Sequence, residues 1–197
     1  MEDDTVVLDL GIGNVANVRK VTGGTVSTDI GETGKIVLPG VGNFKGVMEA
    51  LEPQRGALLD AVEEGRYVLG ICLGMQLLFH ASQEGEGKGL GIMEGEVKRF
   101  VGVRTPHIGW NRVRFEKDCP LFKGIPDGSH FYFVHSYHVS TDDENMVAGS
   151  TLYGEEDTGV RFPSVVWDGN VFGVQFHPEK SSVHGLRLLK NFRELRT

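Results

Sequence analysis

Gly70-Ile71-Cys72-Leu73-Gly74 stands between an apolar run, Arg66 to Ile71, and a second apolar stretch, Met75 to Ala81. The first run reads as a buried strand, the second as a helix begun just after Gly74. A G-x-C-x-G turn between strand and helix is the local plan of a nucleophile elbow, with cysteine where serine is more familiar. The turn is sharp, and a side chain at either flanking glycine would clash. It lifts Sγ above the carboxyl end of the strand, where open α/β sheets hold their ligands. The start of the following helix favours negative charge on that sulfur. Glycine-rich turns between strands and helices are also common without chemistry, so the elbow acquires meaning only with partners.

Upstream, Thr5 to Leu10 reads as a buried strand closed by Gly11-Ile12-Gly13, and Asn14 to Lys20 as a short helix with Asn14 at its start. Lys35 to Leu38 is a second strand, stopped by Pro39-Gly40-Val41-Gly42, and Val47 to Glu64 is helical with an interruption at Pro53. Downstream, Gly85 to Gly91 is turn-like. Short β runs follow at Val97–Phe100, Trp110–Phe115 and Phe131–Val134. Val171 to Phe176 is a last strand, and Val183 to Leu195 an amphipathic helix with Leu186, Leu189, Phe192 and Leu195 on one side. Early strand–helix alternation and a β-rich middle predict an α/β fold. Its core is a doubly wound, mostly parallel sheet with flanking helices, joined by a smaller antiparallel β layer. No repeat or linker divides the chain, and residues 1–197 read as one domain.

The balance of 20 basic against 27 acidic residues, a net charge of −7, excludes the basic footprint of a nucleic-acid binder. It also gives no attraction to an anionic membrane. The acidic opening Met1-Glu2-Asp3-Asp4 is the reverse of a signal peptide's basic start, and no apolar run is long enough to span a bilayer. A cytoplasmic location is the expectation. Two cysteines, Cys72 and Cys119, make neither a disulfide framework nor a metal-ligand cluster, so no metal and no cofactor are expected. Cys119, between Asp118 and Pro120, reads as a turn residue without chemistry. His107, His135 and His138 read as structural or interface residues, and His80, His130 and His184 as solvent-facing.

A thiolate nucleophile needs a group that accepts a proton and later returns it. Among seven histidines the informative one is His177, in Gly173-Val-Gln-Phe-His-Pro-Glu179. It follows a predicted strand, so it too lies at a strand end, where Pro178 stops the strand. Glu179, two residues on, is placed to accept from the imidazole, fix its tautomer and stabilise the imidazolium.

Together, Gly70-Ile-Cys-Leu-Gly-Met-Gln76 and Gly173-Val-Gln-Phe-His-Pro-Glu179 resemble the class I (triad) glutamine amidotransferases. Pro39-Gly-Val-Gly42 is similar to that family's oxyanion strand. Pro106-His-Ile-Gly-Trp-Asn111, Tyr132-Phe-Val-His-Ser-Tyr137, His177-Pro-Glu-Lys-Ser181 and Gly13-Asn-Val-Ala-Asn17 narrow the resemblance to the glutaminase subunits of imidazole glycerol phosphate synthase. The resemblance runs from about Val6 to the C-terminal helix. It implies a Cys72–His177–Glu179 triad that hydrolyses glutamine, and an oxyanion hole from the backbone N–H groups of Val41 and Leu73, with Gly42 freeing the loop. It implies substrate contacts from Gln76, Glu84, Ser136 and Tyr137. It further implies a (β/α)8-barrel cyclase partner that receives the ammonia, with Asn14, Asn17, Trp110 and Lys180 at the interface and ammonia gate.

Two other readings stay open from the residues: the glutaminase of a sibling synthase, such as that of anthranilate or pyridoxal phosphate, and a silent binding or redox module on the same fold. The chain departs from the family pattern between Asn17 and Ile36. That stretch is shorter than the helix, strand and further short helix expected there.

Overall fold

In the computed structural model, residues 5–11, 15–85 and 87–196 are described. The chain runs β1 (Thr5–Leu8), α1 (Val15–Thr22), β2 (Thr25–Ser27), β3 (Lys35–Leu38), α2 (Phe44–Leu51), α3 (Arg55–Glu63), β4 (Tyr67–Ile71) and α4 (Leu73–Leu77). Seven strands then follow: β5 (Phe79–Ser82), β6 (Gly87–Lys88), β7 (Met93–Arg99), β8 (His107–Arg112), β9 (Arg114–Phe115), β10 (His130–His135) and β11 (Tyr137–Ser140). The chain closes with β12 (Val147–Tyr153), β13 (Val160–Asp168), β14 (Val171–Val174) and α5 (Ser182–Arg193).

The main sheet has the order β2-β1-β3-β4-β14-β13-β12-β9. Strands β2 to β14 in that order are mutually parallel, and the last three continue it antiparallel. Both faces of β1, β3, β4 and β14 are buried, so consecutive residues serve opposite cores. Val7, Val37, Leu69 and Phe172 pack on the α1 and α5 side. Leu8, Ile36, Leu38, Val68 and Val171 pack on the side of α2, α3 and α4. Beside this sheet lie the two-stranded β10-β8 and the four-stranded β11-β7-β5-β6, the latter mixed because β5 runs parallel to β7. The expected α/β plan with a parallel sheet and a smaller β layer is the architecture found.

Several local expectations change. The helix expected over Met75–Ala81 ends at Leu77, and residues 79–82 form β5 instead. Phe79 is a good strand former, and β7 offers its backbone a parallel ladder from Phe79↔Met93 to Ser82↔Val97. The run Trp110–Phe115 splits between two sheets, as β8 and β9. Strands β12 and β13 are additional to the sequence reading. On α5 the buried apolar residues are Leu188, Leu189 and Phe192, while Leu186 faces outward.

The segment between Asn17 and Ile36 holds more than its length promised. Helix α1 and edge strand β2 both fit, joined by a glycine turn at Gly23-Gly24. The further short helix is replaced by a loop whose Ile30 is fully buried. Gln54 Oε1 accepts from Ile30 N at 3.3 Å, and Arg66 donates to the carbonyls of Thr33 and Gly31 at 2.6 and 2.9 Å. Asn14, the expected helix start, lies outside the described residues.

Candidate active site

Cys72 is placed by close backbone packing around α4. Gly70 on β4 and Gly173 on β14 are register partners, and together they leave a trough in which α4 lies. A Cβ on Gly70 would sit 2.6 Å from Gly74 O and 2.7 Å from Met75 Cα, and one on Gly173 would sit 2.6 Å from Met75 Cγ. Cβ atoms on Gly74 and Gly40 would likewise strike Leu38 O and Gly74 N. Cys72 adopts φ 54°, ψ −110°, a conformation that L side chains avoid at a cost of about 1–3 kcal/mol. Its N–H donates to Val174 O at 2.7 Å, and its carbonyl accepts from Met75 N and Gln76 N. Helix α4 has only five residues, so its aligned peptide dipole is small and the strained turn contributes more to placing Sγ.

Pairing of β4 with β14 brings the segment after Val174 beside the elbow. His177 is 2% exposed, and its Nδ1 lies 2.9 Å from Glu179 Oε1. Both side chains of this pair are 3% exposed. Burial presses the His177 imidazole toward its neutral form. Interaction with Cys72 and with Glu179 outweighs burial and raises it to about 9. Nε2 feels the sulfur but makes no well-directed hydrogen bond to it. Among the described residues, the buried side-chain nitrogens and oxygens without a hydrogen-bond partner are His177 Nε2 and Glu179 Oε2. Two orphaned atoms on one hydrogen-bonded pair, beside a strained cysteine, mark a place where polar groups are held for something other than stability.

A cavity of about 410 Å³ opens over Cys72. Of the residues singled out in the sequence, it is lined by Val41, Gly42, Cys72, Leu73, Gln76, Glu84, Ser136, Tyr137, His177 and Lys180. Glu179 stands behind His177. Trp110, 53% exposed, lies on β8 with its ring 6.1 Å from that of Tyr132, and Asn17 is exposed on α1. Gln76 is 3% exposed and spends both Nε2 protons internally, on Tyr137 O at 3.0 Å and Gln175 Oε1 at 2.9 Å. Its carbonyl oxygen is therefore the group it can offer a ligand. Glu84 accepts from Phe44 N at 3.0 Å through Oε2, which ties it to the end of the Gly40–Asn43 loop.

Beneath Ser136 a second polar group is buried. His107 Nδ1 and His135 Nε2 are 3.0 Å apart, and His135 Nδ1 lies 2.7 Å from Tyr137 O. A carbonyl only accepts, so His135 carries its proton on Nδ1 and accepts at Nε2, and His107 donates from Nδ1. Burial lowers His107 to about 4 and His135 to about 3, which keeps both neutral. Among the described residues no group of three His, Cys, Asp or Glu could hold a metal ion. His80 is exposed beside Glu94, whereas His184 is half-buried near Phe131 rather than solvent-facing. Cys119 is 1% exposed just before a 3-10 turn. Gln175 was missed by sequence reasoning. It touches Cys72 yet carried no signal beyond its place two residues before His177.

A strained thiol, a charged imidazole held by a buried carboxylate, and a glycine loop facing them can together run nucleophilic acyl transfer. The family model for class-I glutamine amidotransferases matches residues 14–195. The subunit HisH of imidazole glycerol phosphate synthase from Thermococcus kodakarensis is 58% identical over 193 residues, covering 96% of this chain and 98% of that protein. Its counterpart from Pyrococcus furiosus is 52% identical, covering 98% of this chain and 100% of the relative. Among solved structures, a glutamine amidotransferase superposes with a TM-score of 0.73 at 19% identity, over 95% of this chain and 96% of that one. PurLQS from Thermotoga maritima gives 0.68 at 18% identity, over 95% of each chain. At these identities the two structures establish the fold alone.

Proposed function

This chain belongs to the class-I glutamine amidotransferases, grouping there with the HisH subunits of imidazole glycerol phosphate synthase, and on that premise we propose how its residues release ammonia from glutamine. Cys72 Sγ attacks the side-chain amide carbon of glutamine. The backbone N–H groups of Val41 and Leu73 receive the oxyanion, with Gly42, at φ 121°, letting the loop turn without strain. His177, protonated at neutral pH, gives its proton to the departing ammonia. It then takes one from the water that hydrolyses the γ-glutamyl thioester. Glu179 holds the imidazolium. Gln76 and Glu84 offer acceptor oxygens to the substrate ammonium, and the Ser136–Tyr137 segment forms the wall beside its carboxylate.

Residues 1–197 act as one glutamine amidotransferase domain in the cytoplasm. No described helix is long and apolar enough to cross a membrane. The ammonia passes to a (β/α)8-barrel cyclase in a heterodimer whose lyase step forms imidazole glycerol phosphate and aminoimidazole carboxamide ribotide. Released into neutral water, ammonia would be protonated and no longer nucleophilic, which is the physical case for direct transfer. Ile108 and Trp110, alternate residues of β8, are 59% and 53% exposed and offer an apolar docking face. Exposed Asn17 and Lys180, with Asn14, complete the interface and gate.

The orphaned pair His177 Nε2 and Glu179 Oε2 beside Cys72 carries this reading. The experiment measures glutamate formation by wild type and Cys72→Ala, with and without the cyclase and its nucleotide substrate. The expected result is a cysteine-dependent rate that climbs sharply with the partner. A rate indifferent to that cyclase would move the chain to a sibling synthase. No turnover by folded protein under any condition would refute the glutaminase.

A further inference from the structure

We propose that Gln175 is a positioning residue for Cys72, donating from its side-chain amide to Sγ and tying the sulfur through Gln76 to the substrate wall. This rests on the reading of Cys72 as the nucleophile.

Gln175 is fully buried, as are its chain neighbours Val174 and Phe176. Burying a primary amide there costs free energy unless its groups are paired. They are paired in one direction. Oε1 accepts from Gln76 Nε2 at 2.9 Å, and Nε2 donates to Cys72 Sγ at 3.7 Å. The second N–H of Gln76 reaches Tyr137 O at 3.0 Å. Flipping the Gln175 amide would set Nε2 against the Nε2 of Gln76, donor against donor, and a carbonyl oxygen against the sulfur. The network therefore dictates its orientation.

The consequence is chemical. His177 must shuttle its proton, so its help to the sulfur changes within each turnover. Gln175 does not titrate, and it presents the same N–H to the attacking thiolate and to the thiolate released when the thioester is hydrolysed. Through Gln76 it also holds the acceptor oxygen that faces the pocket. Sulfur placement and substrate recognition are thereby one rigid unit.

The test follows alkylation of Cys72 by iodoacetamide against pH, with glutaminase kinetics measured on the complex with the cyclase. Cys119 does not compete, because burial raises its thiol to about 11. Gln175→Met, similar in length but without a donor, is expected to slow alkylation at pH 7 about tenfold. Its pH dependence moves to the alkaline side and kcat falls about tenfold, as loss of a hydrogen bond to a charged group predicts. Gln175→Glu keeps the acceptor for Gln76, so it slows alkylation while holding KM for glutamine closer to wild type than Gln175→Met does. A merely structural role would lower the melting temperature and leave the pH dependence in place. If neither variant folds, the side-chain amide resonance of Gln175 in the wild-type protein decides, because it must move in step with Cys72 titration. An alkylation profile unchanged in a folded variant, or a stationary amide resonance, would overturn the proposal. Loss of glutaminase activity in wild type itself would instead overturn the reading of Cys72.

Discussion

Replacing Gly70 with alanine tests the elbow as a packing device. The added Cβ would lie 2.6 Å from Gly74 O, 2.7 Å from Gly74 C and 2.7 Å from Met75 Cα. All three are backbone atoms, so no side chain can swing aside. Restoring an ordinary contact of 3.4 Å requires α4 to rise by about 0.8 Å from the sheet. Overpacking against a rigid neighbour costs about 3 kcal/mol, the upper end of its usual range. For a chain of this size that lowers Tm by about 6–12 °C. A displacement approaching 1 Å at the nucleophile costs on the order of 10² in kcat. Gly173→Ala meets side-chain atoms only, Met75 Cγ at 2.6 Å, Val166 Cγ2 at 2.8 Å and Met75 Cβ at 3.1 Å, which can shift more readily than backbone, so its effect on both readouts is smaller. Gly56→Ala in α3, where a Cβ would meet nothing within 4 Å, is the control and raises stability by about 0.5–1 kcal/mol. The assay is urea unfolding of the free subunit together with glutaminase turnover on the complex. Gly70→Ala with wild-type stability and kcat, or with a smaller effect than Gly173→Ala, would refute the steric account.

Three further outcomes follow from the geometry. Cys72→Gly relieves the φ of 54° and is expected to be about 1 kcal/mol more stable than Cys72→Ala in urea unfolding, though both are inactive; equal stability would argue against strain at the elbow. Glu179→Gln removes the buried carboxylate from the imidazolium, so kcat falls roughly 10–10²-fold and its loss at alkaline pH begins at lower pH than in wild type, read from a pH–rate profile. His107 and His135 are held at about 4 and about 3, below their unfolded value, so their contribution to stability is present above pH 6.5 and is lost as pH falls. Between pH 7.5 and 5.5 the pair loses about 3 kcal/mol. His177, raised to about 9, works with the opposite sign: its contribution is full below pH 6.5 and lost as pH rises toward 9, so it opposes that acid loss. His177→Asn is therefore expected to unmask the full acid loss in urea titrations, and a variant equally stable at both pH values would contradict the buried neutral pair.

The elbow and the His-Pro-Glu segment were legible because their constraints are local. A turn as tight as Gly70–Gly74 admits only glycine where backbones touch, and an imidazole two residues before a carboxylate needs no distant partner to be recognised. The inner parallel strands β1, β3, β4 and β14 were legible because burial on both faces makes them largely apolar. What the tertiary structure decided depends on contacts between distant residues. Residues 79–82 became a strand because β7 offered a ladder, against a local pattern that also suits a helix. Leu186 turned outward because α5 docks through Leu188, Leu189 and Phe192. The short stretch after Asn17 kept its edge strand because Gln54 and Arg66 pin the loop beyond it. Gln175 looked like one residue of a motif until pairing of Gly173 with Gly70 and Val174 with Ile71 set it beside Cys72. Sequence alone determined which groups could do chemistry, since reactivity and turn sterics belong to residues and their neighbours. Which of those groups meet, and which buried amide steadies them, was decided by strand register, which no local pattern encodes.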